Sequence, residues 1–282
     1  MSNIINVKTS DLISAPNNPF RVVLDAEMEM LIESISQSGV ITPIIARTID
    51  NGKYEIVSGH RRKYACEFLN IDTVPVVVRE LNKNEAIVCL VDSNLQRENV
   101  LPSEKAFAYK MKLEALSSQG KRNDLTSCQL GTKLRSDELM AQSVNDSARQ
   151  IQRYIRLTFL IPELLKLVDE GKISFTPAVE LSYLSVEQQQ VLFQEMEIND
   201  CTPSLSQACR MKKAAQNNEL TELVIADVMA EEKANQKEMF KVPMEKIRQY
   251  TPKVKEKDIQ DFVLKACEYY QKHLLRQRER ER

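Results

Sequence analysis

An octapeptide, Ser58-Gly59-His60-Arg61-Arg62-Lys63-Tyr64-Ala65, lies between the β-rich run Tyr54 to Val57 and a stretch of helical character. A glycine at such a junction lets the backbone approach a ligand closely. The start of the following helix offers unpaired N–H groups and a positive dipole end, and Arg61 and Arg62 bring paired donors that match phosphate oxygens. Further along, Ser93-Asn94-Leu95-Gln96-Arg97 forms a second arginine-bearing polar motif at an element end. Two such motifs suggest one phosphate site. The plainer alternative, that Arg61 and Arg62 are solvated or ion-paired first-turn charges, stays open on the residues alone.

Bulk composition limits how such a site is used. The chain has 282 residues, 43% of them hydrophobic, which is enough for two or three packed domains. Its 39 basic and 40 acidic residues leave a net charge of −1, so nucleic-acid binding must come from a local patch rather than from global charge. The six cysteines (66, 89, 128, 201, 209 and 267) are scattered without a CxxC pair, and there are only two histidines. That usage argues against structural zinc and reads as reduced thiols of a cytosolic protein. The first residues show no charged-then-apolar leader, and no apolar run approaches the ~18 residues of a membrane span. The expectation is a soluble, cytoplasmic protein without a membrane partner.

The elements that must position the motifs read as follows. Asp25 caps a helix bearing Met28, Leu31, Ile32 and Ile35, which Gly39 ends. Thr42 to Ile49 and Tyr54 to Val57 are strands joined by the turn signal Asp50-Asn51-Gly52. A helix from about His60 to Leu69, a β-branched run from Val74 to Arg79 and a helical or mixed stretch from Asn84 to Asn94 complete a small α/β unit over residues 1–99. From Leu101 the strand signal nearly vanishes. Pro102 and Ser103 open a helix that stops near Gly120, and residues 100–200 read as a helical domain. Residues 201–235 read as a helical connector, and 236–282 as a C-terminal helical segment.

A second chemistry-bearing element begins at Ser147. Ser147 and Gln150 have capping-box spacing, and Arg149, Arg153 and Arg156 then share one helical face while Ile151, Tyr154, Ile155 and Thr158 turn the other way. Between residues 121 and 158, seven Lys or Arg stand against four Asp or Glu, a local excess in a balanced chain. With Asp137–Gln142 as a preceding short helix and Val144–Ser147 as a turn, residues 137–160 read as a helix-turn-helix, whose second helix enters the major groove of DNA. Ser147, Arg149, Gln150, Gln152, Arg153 and Arg156 are the candidate DNA-contacting residues. An ordinary amphipathic helix with a solvated arginine face is the alternative.

Taken in order, these motifs resemble the ParB/Spo0J/Noc family of partition proteins over most of residues 1–200. Leu31 to Ile35, Gly39 and Thr42-Pro43-Ile44 resemble the family's first box, and Gly59 to Ala65 resemble its GERRxRA box. Ser93 to Glu98 resemble its ENLQRE box, and Leu101 to Ala106 the LxPxEEA continuation. The resemblance implies an α+β chain: a small ParB/sulfiredoxin-like domain followed by helices with a helix-turn-helix. It implies a specific duplex-DNA site, a homodimer, a ParA-type ATPase partner and association with the nucleoid or a plasmid. It further implies CTP with Mg2+ as a switch that closes the protein around DNA. Carried over residue by residue, Gly59, His60, Arg61 and Arg62 cradle the triphosphate and Asn94 serves the magnesium end. Gln96 and Arg97 support the pocket, and Thr42 lies near the cytidine.

Two departures qualify the expectation. His60 and Ser93 stand where the family has glutamates, and a serine cannot act as a carboxylate base, so nucleotide binding is expected more than turnover. His60 either titrates near neutral pH and adds a phosphate donor, or is a neutral, hydrogen-bonded surface histidine. A ParB-like transcriptional or nucleoid-occlusion regulator uses the same domains. A sulfiredoxin-like phosphotransfer enzyme needs a reactive cysteine, for which Cys66, beyond the loop, is the only nearby candidate. At the C-terminus, Ile259, Phe262, Val263, Ala266 and Tyr270 mark a helix face suited to dimerisation or to packing on the same chain. Beyond it Lys272, Arg276, Arg278, Arg280 and Arg282 are interleaved with Glu279 and Glu281.

Overall fold

A computed structural model describes residues 4–97, 99–123, 146–231, 244–248, 250 and 259–280. Five strands make one sheet: β1 (Ile4–Lys8), β2 (Leu12–Ser14), β3 (Ile44–Thr48), β4 (Tyr54–Ser58) and β5 (Thr73–Val78). Their order is β1-β5-β3-β4-β2, with β1/β5 and β3/β4 antiparallel and β3/β5 and β2/β4 parallel. Strands β3 to β5 match the sequence expectation. The edge strands β1 and β2 do not announce themselves, because five- and three-residue runs carry too few periods to be distinguished from coil.

Helices cover both faces of the sheet, and the period-2 alternation of the strands shows it. Ile44 and Ile56 point into a core with Met28 and Ile35 of α1 (Ala26–Ser38) and with Ala65 and Cys66 of α2 (His60–Phe68). Their neighbours Ile45 and Val57 face the opposite core, formed by Ala86, Leu90 and Val91 of α3 (Lys83–Leu95) and Ala108 of α4 (Pro102–Asn123). Helix starts are capped as the sequence requires. The Asp25 carboxylate accepts from the Met28 N–H at 2.8 Å, and Asn82 with Glu85 forms a reciprocal capping box before α3.

Beyond α4, the helices α5 (Ala148–Arg156), α6 (Pro162–Asp169), α7 (Phe175–Leu181), α8 (Val186–Ile198), α9 (Leu205–Gln216) and α10 (Glu222–Ala230) surround a second apolar core. Ala208, Met211, Ile225 and Val228 belong to that core, so residues 205–230 are packed structure and not the expected connector. The compact unit runs to Glu231. Buried Gln189 ties the layer together: its amide accepts from the Ile161 N–H at 2.8 Å and donates to the Phe159 and Leu184 carbonyls, both at 3.0 Å. Residues 232–282 form a separate unit containing α11 (Met244–Arg248) and α12 (Ile259–Arg280), whose Phe262, Tyr269 and Tyr270 are exposed. Among the described residues no helix is long and apolar enough to cross a membrane.

Helix α4 belongs to both cores, and its first turn is gripped from across the chain. The Asp169 carboxylate, at the end of α6, accepts from the Ser103 N–H at 2.9 Å and from the Ser103 hydroxyl at 2.6 Å. A carboxylate at a helix N-terminus satisfies orphan donors and complements the dipole. Asp169→Ala removes both bonds and leaves nearly buried Ser103 unpaired, so urea unfolding is expected to show a loss of about 2 kcal/mol, with Asp169→Asn recovering part of it.

Candidate nucleotide and nucleic-acid sites

Gly59 is the N-cap of α2 and has φ of +112°, a conformation L side chains rarely adopt. A Cβ there would lie 3.2 Å from both the Arg62 guanidinium and Ile44 Cγ1. The glycine therefore permits both the strand-to-helix turn and the inward course of Arg62. From that position Arg62 donates to the Pro43 carbonyl at 2.6 Å and to the Thr42 carbonyl. The expected phosphate donor Arg62 is thus a clamp on the end of β3, and burial lowers its pKa. Thr42, expected near a cytidine, is exposed and contributes its backbone carbonyl to this clamp.

Arg61 points the other way, into a cavity of about 520 Å³ that Arg21, Arg97, Asp25, Glu27 and Glu104 also line. There it donates to Glu27 at 2.9 Å and to Asp25 at 3.0 Å. Arg61 is thus ion-paired, as in the alternative read from the sequence. Arg97, from the second motif, faces the same cavity; partial desolvation and then the neighbouring Arg61 lower its pKa. Glu104 accepts from the Arg21 backbone N–H at 2.9 Å and from the Leu101 N–H at 3.4 Å. The two sequence motifs do meet, through Arg61 and Arg97, but they bring three carboxylates and Arg21 with them. Asp25 and Glu27 lie too far from Arg61 in sequence for any local spacing to have flagged them.

The remaining motif residues are placed differently. His60 is 7% exposed, and burial, Arg97 and Lys63, in that order, push its pKa down to about 4. It is therefore neither a surface residue nor a group that titrates near neutrality here, and its Nε2 has no hydrogen-bond partner. Asn94 is 4% exposed and its amide N–H donates to the Leu90 carbonyl at 2.8 Å, which holds the side chain against its own helix. Ser93 and Gln96 are exposed, and the Ser93 hydroxyl donates to the same Leu90 carbonyl. Among the described residues no cluster of His, Cys, Asp and Glu is suited to holding a metal ion. Cys66 is fully buried and its thiol pKa is raised by burial, which removes the nucleophile a sulfiredoxin-like reaction requires.

The basic helix begins where the sequence places it. Ser147 Oγ accepts from the Gln150 N–H at 3.2 Å, and buried Ile151 meets Tyr109 of α4. The Tyr109 hydroxyl donates to Asp146 at 2.5 Å, anchoring the residue just before the cap. The Gln150 side chain does not complete a capping box; it accepts from Arg153 at 3.2 Å. Nor is the arginine face uniformly turned to solvent. Arg153 donates to Thr176 at 3.0 Å and lies 4.9 Å from the Phe175 ring, while Arg156 donates to the Ser182 carbonyl at 2.7 Å between the Phe159 and Tyr183 rings. These two arginines fasten α5 to α7 and its C-terminal turn. Arg149 and Gln152 are exposed. The helix expected at Asp137–Gln142 and the turn up to Asn145 lie outside the described residues.

Buried, neutral His60 makes stability depend on pH. Its pKa is about 4 in the folded chain against about 6.5 unfolded, so acid favours the unfolded state as pH falls from 6.5 toward 4. Between pH 7.5 and 5, urea unfolding is expected to lose about 2 kcal/mol from this group, and His60→Gln to flatten that slope.

Comparison with known proteins accords with this architecture. Residues 1–95 match the model of the ParB N-terminal domain. Stage 0 sporulation protein J of Bacillus subtilis is 34% identical over 60% of this chain and 53% of its own length. A nucleoid occlusion protein of Listeria innocua is 33% identical over 64% of this chain and 58% of its own. The chain thus spans little more than half the length of these curated relatives. A truncated chromosome-partitioning protein ParB of Caulobacter crescentus, solved with CTP-γ-S, is 25% identical, covering 64% of this chain and 92% of that one with a TM-score of 0.32. Residues 1–95 are thus similar to the ParB N-terminal domain, and the chain is similar to sporulation protein J and to a nucleoid occlusion protein over 60% and 64% of its length.

Proposed function

We propose that this chain is a partition protein that recognises a specific duplex-DNA site through α5 and binds CTP at the start of α2, with nucleotide binding controlling its hold on DNA. The observation that carries the reading is the convergence of Arg61 and Arg97, from two separate motifs, on one cavity beside the N-terminal end of α2. A triphosphate supplies concentrated negative charge, which fixed guanidinium donors and the first N–H groups of a helix accommodate. In this reading Arg61 exchanges Asp25 and Glu27 for phosphate oxygens, Arg97 takes the far side, and Arg62 keeps the end of β3 in place. Magnesium arrives with the phosphates, as that ion commonly does, and Asn94 would serve it through its amide oxygen while the amide N–H keeps its bond to the Leu90 carbonyl. Ser93 offers no carboxylate, so binding is expected without appreciable turnover. Homodimerisation, a ParA-type ATPase partner and action on a chromosome, plasmid or mobile element belong to the same proposal. The likeness to a nucleoid occlusion protein favours, as a second reading, a DNA-bound regulator without a segregation role.

For DNA, exposed Arg149 and Gln152 near the start of α5, with Ser147 and Gln150, are the candidates for base and phosphate contact, whereas Arg153 and Arg156 hold the helix in position. Chromatin immunoprecipitation with sequencing separates the two readings: a sharp peak with flanking spread marks a sliding partition protein, and isolated promoter peaks mark a regulator. On the site so defined, Arg149→Ala is expected to cost 1–3 kcal/mol in binding while changing random-DNA binding little, with a phosphate role revealed instead by equal losses on both. Calorimetry with CTP, magnesium and cognate DNA is expected to show saturable binding that Arg61→Ala abolishes. No heat under those conditions removes the nucleotide from the reading and leaves DNA binding standing.

A further inference from the structure

We infer that polyphosphate binding at the α2 cradle is coupled to uptake of a proton by His60, so that the site holds its ligand more tightly as pH falls below neutrality. The inference rests on the cavity being a nucleotide site and adds to that reading a titrating group and its sign.

His60 is the first residue of α2, enclosed on nearly all sides, with an Nε2 that has no hydrogen-bond partner among the described residues. The charges that act on it are positive: Arg97 from beyond the end of α3 and Lys63 from the next turn of its own helix. The nearby carboxylates are committed elsewhere. Asp25 and Glu27, at the start of α1, pair with Arg61, and Glu104 of α4 accepts from the Arg21 and Leu101 N–H groups. The end of β3 brings the Thr42 and Pro43 carbonyls to Arg62. Among the described residues, therefore, no neighbour compensates a charge on this imidazole, and burial keeps it neutral.

A bound polyphosphate reverses that balance. His60 does not itself line the cavity, but it adjoins Arg61, which does; a polyphosphate there would offset the charge of Arg97 that acts on His60, and a nearby opposite charge favours the charged form of a titrating group by roughly 1–3 pH units. A group whose proton affinity rises on binding takes up a proton as the ligand arrives. By linkage, ligand affinity then rises as pH falls from the liganded midpoint toward the unliganded one. A glutamate at this position, as in the family's GERRxRA box, would instead place a negative charge beside the ligand near neutral pH. The histidine is thus a property of this chain.

The test follows the imidazole directly. The chain has two histidines, so His60→Gln assigns the His60 ring signals in proton NMR against those of His273. In the intact chain the His60 midpoint is expected near 4 and, with saturating inorganic tripolyphosphate or CTP with magnesium, to move up by roughly 1–2 units. In parallel, the ratio of wild-type to His60→Gln affinity for CTP is expected to rise roughly two- to ten-fold between pH 7 and 5, for a shift of 1 to 2 units. Saturable binding with an unmoved His60 midpoint overturns the coupling alone. Absence of binding by both probes at every pH overturns the coupling together with the nucleotide reading.

Discussion

The turn at Gly59 is the constraint on which the site depends. Its φ of +112° and the absence of a Cβ let β4 feed directly into α2 while Arg62 folds back past Ile44 to the carbonyls at the end of β3. Two adjacent arginines are thereby sent to different tasks. Arg62 locks the sheet to the helix, and Arg61, one residue earlier, is left to face the cavity beside Arg97. A side chain at residue 59 would compete with Arg62 for the same space in a conformation it would itself resist. The glycine is therefore needed for architecture before any ligand is considered.

With that turn fixed, the cavity carries its own counter-ions. Asp25 and Glu27 hold Arg61, and Glu104 secures the backbone at Arg21 and Leu101, so the unliganded cavity is not a bare cationic patch. Such pairing is consistent with a chain whose overall charge is close to zero. In the proposed reading, an incoming anion would have to outcompete two oxygens already on Arg61, which a polyphosphate with several charged oxygens would do better than a lone monoanion. Only His60 among the enclosed polar groups of this region is left without a partner for one of its atoms.

The helical layer is governed by a similar economy of partners. Arg153 and Arg156 engage Thr176, the Ser182 carbonyl and the rings of Phe175, Phe159 and Tyr183, so α5 is held on α7, although the buried Arg156 Nε has no partner among the described residues. Asp169 grips the start of α4, and α4 contributes Ala108 to one core and Ala106 to the other. The helix that joins the sheet layer to the helical layer is thus restrained at the residues nearest the cavity, where Glu104 sits in its first turn.

Much of this was legible in the sequence, because local physics wrote it there. The caps at Asp25 and Ser147, the glycine stop at Gly39, the turn at Asp50–Gly52 and the three inner strands each rest on interactions within a few residues, and the Gly59 turn into an arginine-bearing helix was recognisable for the same reason. What the sequence could not assign was the direction of each charged side chain. That Arg62 and Arg156 turn to backbone carbonyls, that Arg61 meets carboxylates at positions 25 and 27, that Asn94 folds onto its own helix and that His60 is enclosed all depend on partners distant in the chain or on packing around them. Burial and pairing are properties of the assembled layers, and only the tertiary structure decides whether an arginine is a ligand donor or a clamp.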